Sequence, residues 1–241
     1  MEQMSVTDNL YLTDAYLRAF DATVVSVVEG GVALDRSAFY PGGGGQPGDV
    51  GELTDGSQTW PVVGMQRVGG QVVHRIAGAP PAVGTAVTGT LDWERRYQLM
   101  RTHTAMHILC GVIWRDYGAP VTGGAMDPLK GRMDFEFETM RQELAAAIEA
   151  AVNAEVAAAR DVRVAILPRA EAFQIPDLIR TKINLLPQGI QEVRVVELIG
   201  LDLQADGGTH VRNTREVGRM RIVDYKSKGK INKRIYVELD A

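Results

Sequence analysis

The sequence predicts an α+β protein in two parts: a small β-barrel over residues 1–91, then an α+β domain over residues 92–241. Three observations carry that reading. Short runs rich in β-branched residues, punctuated by glycine, fill the N-terminal part. After Asp92 the pattern changes abruptly to apolar and histidine positions at three- and four-residue steps. β-Branched runs then return toward the C-terminus.

Taken in order, residues 23–28, 31–34, 71–76 and 85–90 read as strands, with Gly78-Ala79-Pro80-Pro81 as a turn between the last two. Asp92 can cap a helix that carries Met100, His103, His107, Gly111 and Trp114 on one face. A second helix is expected from the capping-box pattern at Thr139-Met140-Arg141-Gln142, with Leu144, Ile148, Val152 and Val156 as its buried stripe. Beyond Pro168 the structure is mixed: residues 192–199 form a strand, a glycine loop follows, and further strands lie within 217–239.

Composition narrows the class. With 241 residues, 45% hydrophobic and 23% charged, the chain can bury a core in one large or two small domains. No run has the length of an apolar membrane span, and residues 1–9 lack the basic and apolar regions of a secretory signal, so a cytoplasmic protein is expected. A single cysteine, Cys110, excludes an internal disulfide framework. The net charge of −4 requires any nucleic acid to be met by a local basic patch. One is present: Arg212, Arg215, Arg219, Arg221, Lys226, Lys228, Lys230, Lys233 and Arg234 are opposed in their stretch only by Glu216 and Asp224. Among them Arg212, Lys226, Lys228 and Lys230 are candidates to hold phosphates.

Two segments carry the chemistry. His103-Thr104-Ala105-Met106-His107 puts two imidazoles on one side of a helix, about 5–6 Å apart at their bases. Asp206-Gly207-Gly208-Thr209-His210 sets a carboxylate and an imidazole on a loop that two glycines make permissive. Three of the chain's four histidines fall in these segments, and three imidazoles with one anionic oxygen suit a single tetrahedral zinc ion. The remaining one, His74, sits in an alternating strand and reads as structural, and Cys110 lies off the histidine face and reads as a buried small residue. The run from Gly42 to Gly45 lacks the lysine and hydroxyl residue of a triphosphate-binding loop.

Four stretches together resemble a known family. They are Phe39-Tyr40-Pro41-Gly42-Gly43-Gly44-Gly45-Gln46-Pro47-Gly48-Asp49; residues 101–109; Gly207-Gly208-Thr209-His210-Val211 with Asn213-Thr214 and Glu216-Val217-Gly218; and Lys226-Ser227-Lys228-Gly229-Lys230. In their order and spacing the chain resembles, over nearly its whole length, the alanyl-tRNA editing proteins, free-standing relatives of the editing domain of alanyl-tRNA synthetase. The resemblance implies that residues 92–241 form an editing domain of the threonyl/alanyl-tRNA synthetase second-additional-domain type. It also implies zinc held by His103, His107, His210 and position 206. That position is usually cysteine in the family and is Asp206 here. Aspartate keeps the charge of a thiolate but is a harder ligand. It can bind zinc directly, at about 2.0–2.2 Å, or orient His210 from outside, with Gln204 a further neighbour.

The implied reaction is hydrolysis of the aminoacyl ester on the acceptor end of mischarged tRNA(Ala), with serine the first candidate amino acid and glycine the second. No obligate protein partner is expected. In the family the glycine segment helps to choose the amino acid, which implicates Gly43, Gly44 and Gln46. Thr104 and Thr209, beside His103 and His210, have hydroxyls that can contact a serine side chain and so spare alanine. Two alternatives share parts of this reading: a zinc hydrolase of another ester or amide, and a tRNA-binding module without catalysis.

Overall fold

The computed structural model describes residues 7–68, 71–180 and 189–241. The segment before Thr7, expected to carry no secretory signal, lies outside the described residues. The chain divides into two compact units, Met1–Tyr97 and Gln98–Ala241. Among the described residues no helix is long and apolar enough to cross a membrane.

The first unit contains β1 (Asp8–Asn9), a 3-10 turn at Leu10–Leu12, β2 (Ala19–Val28), β3 (Gly31–Leu34), β4 (Arg36–Ser37), β5 (Gly51–Thr54), β6 (Thr59–Val68), β7 (Gln71–Ile76) and β8 (Ala86–Leu91). Six strands each pair with two neighbours in the order β2-β3-β7-β6-β5-β8, and β8 pairs back onto β2, so the ladder closes as a barrel. Alternation turns Phe20, Ala22 and Val24 of β2 inward and leaves Asp21 exposed. With Leu34, Phe39, Leu53, Trp60, Val62, Ile76, Val87 and Leu91 they make one core. Each large apolar side chain buried there contributes about 1.5–3 kcal/mol. β5 and β6 are absent from the sequence expectation for physical reasons. β6 contains Pro61, and its register against β7 shifts between Val62 and Gly64, so proline and glycine that read as turn residues sit inside a bulged strand.

His74 is built into this unit. It is fully buried. Its Nδ1–H donates to the Val32 carbonyl at 3.3 Å, so Nε2 accepts the Ser37 hydroxyl at 2.7 Å; the Ser37 oxygen in turn takes the Phe39 N–H at 3.1 Å. A neutral ring satisfies every partner, and burial pushes its pKa down to about 4.

α1 (Trp93–Tyr117) crosses the division between the units. The Asp92 carboxylate accepts the Arg95 N–H at 3.1 Å, the cap read from the sequence. From Thr102 to Ile113 every residue is buried, so the helix is covered all round rather than along one stripe. The second unit continues with β9 (Val121–Asp127), β10 (Lys130–Glu136), α2 (Gln142–Ala157), β11 (Val162–Pro168), α3 (Arg169–Ala172), β12 (Glu192–Leu198), β13 (Asp202–Ala205), a 3-10 turn at Thr214–Val217, β14 (Met220–Ser227) and β15 (Asn232–Leu239). Its sheets run β14-β15-β10-β9 and β11-β12-β13.

The expected capping box of the second helix is not formed. α2 starts at Gln142, with Arg141 as an extended N-cap that makes no side-chain cap bond. Its stripe is as expected at Ile148, Val152 and Val156, whereas Leu144 is half-buried and Ala145 takes the covered place. Helix α2 also finishes the sheet edge. The Asn153 amide donates to the Met220 carbonyl at 2.8 Å and accepts the Met220 N–H at 3.0 Å, as a neighbouring strand would.

Candidate metal centre

The second unit assembles the centre from α1, β13 and the loop after it. The four-residue step on α1 stacks His103 and His107, with ring centroids 5.2 Å apart. The loop brings His210 against both, at 4.3 Å from His103 and 4.7 Å from His107. Local hydrogen bonds give the loop its shape. The Gly208 N–H closes a turn on Asp206 Oδ2 at 2.7 Å, and Asp206 exchanges backbone and guanidinium bonds with Arg194 of β12, N–H to carbonyl at 3.1 Å and Nη1 to carbonyl at 2.8 Å. The Thr104 hydroxyl oxygen ties the loop to the helix: it accepts the Val211 N–H at 3.2 Å and lies 3.1 Å from His210 Nδ1.

Past His210 the chain is held by Asn213 and Glu216. The Asn213 side chain accepts the Arg215 N–H at 3.0 Å, and Glu216 accepts the N–H groups of Arg212 and Asn213, at 3.0 and 3.1 Å. These two residues of the quoted motif therefore form a capping box for the turn at Thr214–Val217.

One donor atom from each of His103, His107, Asp206 and His210 lies within 4.8 Å of the other three. The three imidazoles are buried and Asp206 is half-buried. The carboxylate faces two rings: Oδ2 is 2.9 Å from His210 Nε2, and Oδ1 is 3.6 Å from His103 Nε2. Electrostatics keeps His103, His210 and Asp206 deprotonated at neutral pH. Burial, against the pull of Asp206, holds His103 down at about 4, and burial together with the His103 charge holds His210 well below its ordinary value. Both rings stay neutral at physiological pH. Burial also acts to raise Asp206, but the His103 charge and the His210 hydrogen bond outweigh it, so the carboxyl lies well below the usual range. Three imidazole nitrogens and an anionic oxygen are a donor set that fits zinc.

The structure brings two further side chains to the cluster that the sequence reading does not single out. Asp202, on β13, has a fully buried side chain with Oδ2 3.0 Å from His107 Nδ1. Burial opposes a charge on His107, but that hydrogen bond and the Asp202 charge prevail, and its pKa is raised. Arg194 is buried with Nη1 3.8 Å from Asp206 Oδ2. Both had a signal. Asp202 and Gln204 alternate along β13 and so share a face, with Asp206 just past its end, and Arg194 is a charge inside the apolar run of β12. Gln204, considered as a neighbour of Asp206, instead donates to Asp202 Oδ2 at 2.7 Å and to Cys110 Sγ at 3.3 Å. Cys110 is buried, and burial pushes its thiol up, away from reactivity.

The basic stretch divides. Arg234 is paired with Asp134 on β10 and Lys233 donates to the carbonyls of Gly229 and Lys230, so both serve the fold. Lys226 lies 3.1 Å from Asp224 and over the Tyr236 ring, while Arg212, Lys228 and Lys230 are exposed. The glycine segment belongs to the first unit. Gly43 and Gln46 exchange backbone hydrogen bonds at 3.0 and 2.9 Å around Gly44 and Gly45, whose φ angles of 57° and 88° need glycine. Gln46 is buried, the Tyr40 hydroxyl donates to the Gly43 carbonyl at 2.9 Å, and Asp49 closes the segment by pairing with buried Arg96.

Comparison with known proteins agrees with this architecture. Residues 193–236 match the family described as threonyl and alanyl tRNA synthetase second additional domain, and residues 6–95 match class II (A) tRNA synthetases. An alanyl-tRNA editing protein, AlaX-M, from Saccharolobus solfataricus is 38% identical over 96% of this chain and 98% of its own length. The AlaX-M of Methanosarcina mazei is 38% identical over 97% of each chain. The alanine–tRNA ligase of Pyrobaculum arsenaticum is 41% identical over 90% of this chain, which spans 25% of the ligase. With a second-additional-domain match, a buried histidine and carboxylate cluster, and near-complete coverage of these relatives, the chain belongs to the alanyl-tRNA editing protein family of aminoacyl-tRNA hydrolases.

Proposed function

We propose that this protein removes serine, and secondarily glycine, from mischarged tRNA(Ala) by hydrolysing the aminoacyl ester, acting in trans on the acceptor end. The observation that carries the reading is the convergence of His103, His107, Asp206 and His210 within 4.8 Å in a chain of this family. These four would hold one zinc ion. When bound, zinc supplies Lewis acidity at the ester carbonyl or an anchor for the substrate's amino group. The chain's own residues do the rest. Residues 92–241 act as the deacylase domain. Thr104 and Thr209 contact the serine hydroxyl, and a site that hydrogen-bonds a hydroxyl rejects alanine, which lacks one. The glycine segment of residues 1–91, through Gly43, Gly44 and Gln46, contributes to choosing the amino acid. Arg212, Lys226, Lys228 and Lys230 hold acceptor-end phosphates. In this reading the enzyme works in the cytoplasm, where transfer RNA is charged.

The test is deacylation of seryl-, glycyl- and alanyl-tRNA(Ala) with and without a chelator. Chelator-sensitive loss of serine with alanine spared is the expected result. His103→Ala and His210→Ala should each lose both retained zinc and deacylation. Full activity of both variants would overturn the metal reading, and zinc-loaded protein that cleaves none of the three esters would leave a tRNA-binding role.

A further inference from the structure

A buried carboxylate costs several kcal/mol unless partners take up its charge, so the fold's reason for burying Asp202 needs an account. Its side chain is wholly buried on β13. Oδ2 accepts from His107 Nδ1 at 3.0 Å and from Gln204 Nε2 at 2.7 Å, while Oδ1 faces Arg180 Nε at 3.4 Å. The Arg180 guanidinium itself lies over the Trp114 ring, 4.8 Å from its centroid. A carboxylate only accepts, so Nδ1 of His107 must carry the hydrogen. That leaves Nε2 as the lone-pair atom His107 contributes to the cluster. A histidine side chain free in water favours the opposite tautomer, with hydrogen on Nε2, which cannot ligate through that atom.

A second feature of the sequence serves the same contact. Gly111 lies one helical turn beyond His107, where a Cβ would come within 2.9 Å of Leu201 Cγ and 3.1 Å of both Asp202 Cβ and the Leu201 carbonyl oxygen. Any side chain there would push the start of β13 off the helix. The glycine, unfavourable in a helix by about 1 kcal/mol relative to alanine, is what lets Asp202 reach His107.

We infer that Asp202 is a positioning residue that locks His107 in its Nδ1–H tautomer, with Gln204 and Arg180 holding the carboxylate in place and Gly111 granting it access. The inference rests on the metal reading above, and it concerns the state of the ring before any ion arrives. A preset tautomer and ring angle raise metal affinity, typically by 10–100-fold.

The experiment uses the full chain labelled with 15N-histidine. Imidazole 15N shifts are read after chelator treatment at alkaline pH, and Zn2+ affinity is read by competition with a chromophoric chelator. The wild type should show His107 as the Nδ1–H tautomer. Asp202→Ala should move it to Nε2–H and weaken Zn2+ binding 10–100-fold, while Asp202→Asn, which keeps an acceptor oxygen, should restore the tautomer and bind within a few-fold of wild type. Gly111→Ala removes no polar group and favours the helix, so it tests the same contact if Asp202→Ala fails to fold; it should weaken Zn2+ as well. Retention of the Nδ1–H tautomer and of Zn2+ affinity within twofold, in Asp202→Ala or, where that variant does not fold, in Gly111→Ala, would overturn the assignment. A wild type that binds no Zn2+ would sink the metal reading instead, and the tautomer in the metal-free chain would still decide the role of Asp202.

Discussion

Four histidines with the same intrinsic chemistry end in different states because each meets a different neighbour. His74 has no charged partner, only a hydroxyl, a carbonyl and the Phe39 ring among its described neighbours, so burial outweighs the Val32 hydrogen bond and its pKa falls to about 4, against an ordinary value of 6.5. The folded state therefore binds the proton more weakly than the unfolded chain. Stability is unaffected above pH 6.5, is lost as pH falls from 6.5 toward 4, and levels off below. The full penalty is at most about 3 kcal/mol. Denaturant melts of wild type and His74→Gln across that range should show the wild-type advantage narrowing toward acid. A gap that stays constant with pH would mean His74 titrates as in the unfolded chain. At this scale the sequence was informative where residue types are scarce. Three histidines and one aspartate in two short motifs are improbable by chance, whereas Asp202 is one of many acidic residues, and only a fold makes it a neighbour of His107.

Elements were legible to the extent that one residue pattern implied one structure. Strands β2, β3, β7 and β8 alternate cleanly or run apolar, and α1 announces itself by spacing and by the Asp92 cap. β9 and β10 carry glycines and charges, with Gly123 and Gly124 on one and Lys130, Arg132 and Asp134 on the other, so neither periodicity nor apolar content marks them. They become strands because β15 offers a ladder. The start of α2 shows the limit of local motifs: Thr139 has the right chemistry for a cap, yet the helix begins after Arg141. What fixes α2 is its seat against the edge of β14. Asn153→Ala there strips partners from both the N–H and the carbonyl of Met220, a buried residue, and should cost about 1–3 kcal/mol in unfolding free energy. An unchanged denaturant midpoint would show that the edge finds other partners.

Over the whole chain, a net charge of −4 means that affinity for RNA must come from a few exposed cations rather than from the overall field. The structure withdraws Lys233 and Arg234 from that set; of the four phosphate candidates, Arg212, Lys228 and Lys230 are exposed and Lys226 lies beside Asp224. If Lys228 and Lys230 each meet a phosphate, replacing both with glutamine should flatten the dependence of log KM on log salt by about 1.5, since each contact contributes about 0.7–0.9. An unaltered slope would remove these lysines from the interface. The presence of Asp206 has a consequence of another kind. None of the four clustered donors contains sulfur, and the chain's single thiol, Cys110, is buried and kept protonated. Peroxide and disulfide exchange act on exposed thiolates, and here they find none to attack. A zinc centre held as proposed by His103, His107, Asp206 and His210 would therefore offer an oxidant no thiolate ligand to strip.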